Sequence, residues 1–438
     1  MSFTSRRMRS VAAAALTVGL ALGASACSAK KDDAGSDNST ASGPVTISLS
    51  YFGTPGFGQA VKDFEAANPN IKVDVKNEGQ TKDFVPKLAQ QISAGSGASD
   101  VVMLEEGMLL QYLKDNKGFA NLLDLGASSV ESEYLSFKWK NAFTADGKKL
   151  VGLGTDVGPL AMCYRTDLFA KAGLPTARDD VSKLWPTWED YIKQGETFKA
   201  KNTGAAWIDS ATSIMQPYIM QNSDTWFYDK SDKYIGDTNP VVKKAYDLGI
   251  DMASKGLTAK LARWQADWDA AFKNAAFATV PCPPWYTGVI KERAGDAGKN
   301  KWDIATIPGK GGNWGGSYLA IPEQSKNKKA AFELIKFLTG KQGGIDAFKE
   351  AGPLPSSVSA LADPQIADAK NDYFNNAPVG KIYVDAAKTL KPIYLGPKHQ
   401  ALWENGFEPA MQAAEQGKLS AQAGWDKAIK DSKALAEG

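Results

Sequence analysis

VTISLSYFGTPGFGQAVKDFEAANPNIKVDVKNEGQTKDFVPKLAQQISAGSGASDVVMLEEG, residues 45–107, decides the fold. Val45 to Tyr51 alternates apolar and polar side chains, the period of a strand. Ala60, Val61, Phe64 and Ala67 then recur one helical turn apart and stop at Asn68-Pro69-Asn70. Ile71 to Val75 alternates again, and a second helix is expected from about Phe84 to Ile92, broken at Ala94-Gly95-Ser96-Gly97. Val101 to Leu104 is a continuous apolar run, as expected of a central strand covered on both faces. Strand, helix, strand, helix, strand implies a parallel sheet covered by helices, an α/β fold. Ligands of such sheets sit beyond the carboxyl ends of the strands. Here those ends carry Phe52-Gly53-Thr54-Pro55-Gly56 and Glu105-Glu106-Gly107.

Outward from this unit the pattern repeats more loosely. Leu150 to Gly158 reads as a glycine-rich strand, and helices dominate from Trp188 to Ala278. Ala276 to Val280 reads as a strand ending in Pro281-Cys282-Pro283-Pro284-Trp285-Tyr286. Tyr318 to Ile321 reads as another, after the loop Gly311-Gly312-Asn313-Trp314-Gly315-Gly316, and the tail from Gln400 reads as helical. The expected picture is two α/β units joined by several crossings.

Before Val45 the chain reads as an export leader. Arg6, Arg7 and Arg9 precede an apolar run from Val11 to Leu22 and small residues from Gly23 to Ala26, the order of a signal peptide over 1–26. Ala24-Ser25-Ala26-Cys27 resembles a bacterial lipobox, with Ala24 where that motif usually has leucine. The resemblance implies lipidation of Cys27 and anchoring to a membrane. Residues 27–44 are small and polar, the composition of a flexible tether. Of the remaining cysteines, Cys163 and Cys282 lie in the apolar stretches PLAMCY and ATVPCPPW, which favours two buried free thiols over a disulfide.

Composition removes several classes of function. The 438 residues carry a net charge of +2, and loss of the leader's three arginines takes it to −1, so no nucleic-acid footprint remains. A single histidine, His399, excludes His₂ and His₃ metal sites within one chain and leaves one candidate for any imidazole-based triad. GTPGFG and GKGGNWGG lack the lysine and hydroxyl of a phosphate loop. Glu105 and Glu106 are adjacent, and neighbours rarely converge on one bond as a glycosidase pair must, so they read as hydroxyl acceptors. The twelve tryptophans exceed the ordinary need of a core. Trp264 and Trp268, spaced as i and i+4 on a helix, read as core, whereas Trp285-Tyr286 and Trp314 sit in loops, where sites are carried. Flat rings there suit the C–H face of a pyranose, whose hydroxyls carboxylates and amides can bind.

Several blocks, in order, resemble the family 1 extracellular solute-binding proteins of sugar ABC importers. They are FEAANPNIKVDV (64–75), KLAQQISAGSGASDVVML (87–104), GTDVGPLAMCYRTDLFAKAGLP (154–175), WPTWEDY (185–191), AAFKNAAFATVPCPPWY (270–286), GGSYLAIPEQSKNKKAAFELIKFLTGKQG (315–343) and GPLPSS (352–357). The resemblance implies a two-lobed periplasmic-binding-protein-like fold with a hinge and discontinuous lobes, the first over 45–156 and 310–352, the second over 157–309 and 353–438. It implies that Trp285 and Trp403 stack on sugar, that Glu105 and Glu106 make polar contacts, and that Asp156 and the Trp314–Ser317 segment lie near hinge crossings. The candidate ligand-binding set is Phe52, Glu105, Glu106, Asp156, Trp285, Tyr286, Trp314, Gly315, Ser317 and Trp403. The expected function is a monomeric receptor, exported and lipid-anchored to the outer face of the cytoplasmic membrane. It would deliver a di- or oligosaccharide to an ABC permease by hinge closure, without catalysis, metal or cofactor. The GTDVGP and WGGS wording is most similar to the cello-oligosaccharide and β-glucoside branch. An exported glycoside hydrolase and a polysaccharide-binding surface lipoprotein share the same signals and are the alternatives.

Overall fold

In the computed structural model, which describes residues 43–115 and 117–438, the opening strands form as their alternation dictates. β1 (Val45–Tyr51) buries Ile47 and Leu49 and pairs in parallel with β2 (Ile71–Asn77) and β3 (Val101–Glu105). The crossovers are α1 (Gly58–Ala67), which buries Ala60, Val61 and Phe64, and α2 (Thr81–Ala94), which buries Phe84 and Leu88. Gly95 closes α2 at φ +63°, a left-handed cap from which its N–H reaches Gln91 and Ile92 carbonyls. The stretch Leu150–Gly158, which reads as one strand, holds two: β4 (Gly152–Gly154) and β5 (Asp156–Val157). β10 (Ser317–Ala320), far along the chain, inserts antiparallel between β3 and β4, giving the order β2-β1-β3-β10-β4. α3 (Glu106–Asp115) leaves directly from the end of β3, and α4 (Ser136–Lys140) packs against β4.

A second sheet, order β7-β8-β6-β9, is built from β6 (Ala161–Arg165), β7 (Ala206–Ile208), β8 (Phe277–Cys282) and β9 (Trp302–Ala305). The chain therefore leaves the first sheet after β4, crosses through β5, and returns after β9 to form β10. A third passage, β11 (Leu354–Pro355), pairs antiparallel with β5. Each large sheet has its own apolar core, so the molecule is a two-lobed α/β protein with discontinuous lobes. No helix among the described residues is long and apolar enough to cross a membrane. The leader, Cys27 and the tether up to residue 42 lie outside the described residues.

Further expectations change. Cys163 and Cys282 are joined in a disulfide, since β6 and β8 are antiparallel neighbours that bring the two Cα atoms to 5.6 Å. β7 lies inside the stretch read as helical: Ala206-Trp207-Ile208 is too short to show a period, and pairing with β8 makes it a strand. Trp264 is not on the helix that holds Trp268. It sits before Ala266–Lys273 at φ +63°, so only Trp268 takes the core position. Eight of the twelve tryptophans are also buried, five of them wholly: Trp185, Trp207, Trp226, Trp268 and Trp302.

Candidate functional site

Between the lobes lies a cleft of about 680 Å³, lined from both sides. The first lobe contributes residues just past its strand ends, as parallel sheets do. Phe52 follows β1 and packs on Phe84 at 6.2 Å, and the chain turns there at Gly53, φ +62°. Glu105 ends β3, and its Oε2 accepts the Gly107 N–H at 2.6 Å. Glu106 opens α3, where its N–H donates to the Gly316 carbonyl and its Oε2 accepts the Asn313 amide at 3.2 Å. Burial in the cleft wall, with the Glu106 charge next to it, pushes the Glu105 carboxyl up to about 8, against the opposing pull of the Gly107 N–H and Lys138.

The crossings form the cleft floor. Asp156 Oδ1 accepts the Thr155 hydroxyl at 2.6 Å and the Ser317 N–H at 2.9 Å. Burial raises the Asp156 carboxyl above its ordinary range, and Lys138 is the strongest force against that rise. At Gly158 two crossings meet backbone to backbone: the Trp314 N–H donates to the Gly158 carbonyl at 2.7 Å, and a Cβ on residue 158 would lie 2.0 Å from the Trp314 oxygen. Only glycine permits that approach.

The second lobe supplies an aromatic wall. The turn Pro283-Pro284 delivers Trp285 to the start of helix Tyr286–Gly298, and its Nε1 donates to the Trp314 carbonyl at 3.0 Å. Trp264 stacks against Trp285, centroids 6.3 Å apart and planes 23° apart, while Trp314 stands edge-on to Trp285 at 5.9 Å. Two arginines in the same wall brace the indoles. Arg263 lies over Trp314 at 4.8 Å and pairs with Glu408 at 3.3 Å, and Arg293 lies over Trp264 at 5.6 Å. Trp403 stands in a π-helical turn, Leu402–Phe407, packed on Trp226 and Phe407 and facing the cleft with a small part of its surface. Glu404 beside it is raised by burial.

Of the expected residues, Phe52, Glu105, Glu106, Asp156, Trp285, Trp314, Gly315, Ser317 and Trp403 all line this one cleft. Tyr286 does not. As the residue after Trp285 on a helix it points the other way, fully buried against Trp268 and Phe272, with its hydroxyl unpartnered. Residues the sequence reading passed over join the wall: Arg263, Trp264 and Glu404. Only Trp264 carried a signal, its i, i+4 spacing, and that pointed to core. His399 lines the edge of the cleft but is nearly enclosed against Trp226, and burial lowers its imidazole to about 3, so it is neutral.

Flat apolar faces on one side and hydrogen-bonding carboxylates on the other suit a ring-shaped molecule rich in hydroxyls. A family model described as bacterial extracellular solute-binding protein matches residues 59–374. A crystal structure of an extracellular solute-binding protein of family 1 is 38% identical, with a TM-score of 0.79 over 90% of this chain and 100% of that one. The arabinooligosaccharide-binding protein of Bacillus subtilis (strain 168) is 25% identical over 360 residues, 77% of this chain and 79% of the relative. An ABC-transporter-associated binding protein from B. animalis subsp. lactis Bl-04, solved with beta-1,6-galactobiose, shares the fold at 22% identity and a TM-score of 0.74, covering 89% of this chain and 98% of that one.

Proposed function

The chain belongs to the family of bacterial extracellular solute-binding proteins, and on that premise we propose that it captures a di- or oligosaccharide in the cleft and hands it to an ABC permease. One observation carries this reading: indoles and carboxylates face each other across a cleft whose two walls belong to different lobes. A sugar held by both walls favours the closed arrangement by the contacts it makes in that state alone, and closure gives the permease a shape to recognise. The lobes we assign to 45–156 with 310–352 and to 157–309 with 353–438, hinged where β5, β11 and the Asn313–Gly316 loop cross. The ligands of two relatives, an arabinooligosaccharide and beta-1,6-galactobiose, support the class of ligand. Within it the GTDVGP and WGGS segments favour a cello-oligosaccharide or β-glucoside. The protein acts without turnover, as a monomer, exported and held to the outer face of the cytoplasmic membrane through a lipid on Cys27.

A thermal-shift screen of the purified protein against cellobiose, cellotriose, arabinotriose, beta-1,6-galactobiose and maltose tests the reading. At least one sugar should raise the melting temperature, contract the particle in small-angle scattering and be recovered unchanged. Release of monosaccharide would make the protein a hydrolase, and binding without contraction would remove the hinge.

A further inference from the structure

Lys138, on α4, is fully buried beneath the cleft floor, and its ammonium has no hydrogen-bond partner among the described residues. An unpaired buried ammonium is costly, and its retention calls for a compensating charge nearby. The fold makes room for it at two places. A Cβ on Gly154 would come within 2.5 Å of the Lys138 Cγ, and one on Gly316 within 2.7 Å of the Nζ. Gly316, at φ +113°, belongs to the crossing loop, and Gly154 ends the strand that leads into the other crossing. The Nζ lies 4.2 Å from the centre of the Tyr318 ring, whose hydroxyl donates to the Lys138 carbonyl at 3.3 Å. The lysine is thus channelled by two glycines and a tyrosine to the underside of the cleft.

We propose that Lys138 is the positioning residue of the cleft floor, a buried counter-charge that governs whether Asp156 and Glu105 meet a ligand as hydrogen-bond acceptors or as donors. The same Cβ on Gly316 would also lie 2.6 Å from the Asp156 carbonyl oxygen, and Ser317 beside it donates to Asp156 Oδ1 and pairs with Glu105 across the sheet, so both acids adjoin the lysine; burial raises both carboxyls, and in both Lys138 works against the rise. The charged and titratable groups facing this region are Glu105, Glu106, Asp156 and Tyr318, with Glu404 of the opposite wall acting on Glu105. Lys138 is the cation that lies beneath the floor, whereas Arg263 stands in the opposite wall, paired with Glu408 and over Trp314. A sugar hydroxyl bound to a carboxylate is held more strongly than one bound to a neutral acid. The lysine therefore controls affinity without touching the ligand.

Two readouts test this, and only the second rests on the sugar-binding reading. In the ligand-free protein, carbon-13 titration of the Asp156 and Glu105 carboxyls should show both midpoints rising by about one pH unit or more in Lys138→Met, and staying near wild type in Lys138→Arg. Unmoved midpoints in Lys138→Met would overturn the proposal. In calorimetry with cellobiose and beta-1,6-galactobiose, Lys138→Met should bind roughly tenfold more weakly near neutral pH and recover as the pH rises toward about 9. A deficit independent of pH would mark Lys138 as merely structural and overturn its role in binding. If no sugar binds wild type yet the midpoints move, the sugar reading fails and the counter-charge stands. Should Lys138→Met not fold, nitrogen-15 spectra of the wild type decide: an ammonium at about pH 7 supports the proposal, and a neutral amine sinks it.

Discussion

The two walls of the cleft are made differently. The first lobe presents carboxylates at the ends of strands, where the backbone itself aims them: Glu105 closes β3 and Glu106 opens the helix that follows. The second lobe presents Trp264 and Trp285 on turns, aimed by packing on each other and on the crossing loop, whose Trp314 carbonyl accepts the Trp285 Nε1–H and whose Trp314 ring lies under Arg263. The first arrangement is as stiff as the sheet. The second needs support from outside its own backbone, and the disulfide is the largest such support, because Cys282 is the last residue of β8 and Pro283-Pro284-Trp285 follows directly.

That asymmetry gives the largest predicted effect. Cys163→Ala with Cys282→Ala opens a loop of 119 residues and should cost about 2–5 kcal/mol of stability in chemical denaturation. Hydrogen exchange should show the loss mostly in the amides of β6 to β9, with β1 to β3 little changed. Equal loss in both sheets would break the contrast between a stapled lobe and an unstapled one. A disulfide here also accords with an exported protein, since oxidising compartments are where such bonds persist.

Next in size is the ligand itself. Trp285→Ala should weaken sugar binding by about 2–3 kcal/mol, some 30- to 150-fold, by calorimetry, with the far-ultraviolet spectrum unchanged. Glu105→Gln keeps a hydrogen-bonding group on the opposite wall and should cost about 1 kcal/mol. The reverse order would mean that the carboxylate wall, not the indole wall, dominates affinity.

The same division explains what could be read from the sequence. The first lobe was legible because local patterns decide it: alternation in Val45–Tyr51, an apolar run in Val101–Leu104, and helical spacing between them place Phe52, Glu105 and Glu106 before any tertiary contact is known. The second lobe's wall depends on contacts between distant segments. The disulfide needs β6 and β8 to be neighbours, β7 needs β8 as a partner, and Trp264 faces the cleft because its backbone departs from the helix that its spacing with Trp268 predicted. Lys138 was hidden for a related reason. Nothing in the local pattern of FKWK marks its first lysine as buried, and only Gly154 and Gly316, brought from elsewhere in the chain, leave room for it inside.

Tyr286 offers the smallest and sharpest test of which residues belong to the indole wall. Its ring is fully enclosed by Trp268, Phe272 and Trp314, and its hydroxyl has no partner among the described residues. Burial is the largest cause of the rise in the phenol's proton affinity. An unpaired buried hydroxyl has lost its hydration without gaining a protein bond, so its removal relieves a penalty and breaks no contact. Tyr286→Phe should therefore leave stability unchanged or raise it by about 1 kcal/mol in chemical denaturation, and leave sugar affinity as it is. The ring still fills its place behind Trp285, which is what the wall requires of it. A fall in affinity on loss of that single oxygen would mean that the helix Tyr286–Gly298 turns in the bound state to bring the hydroxyl into the cleft.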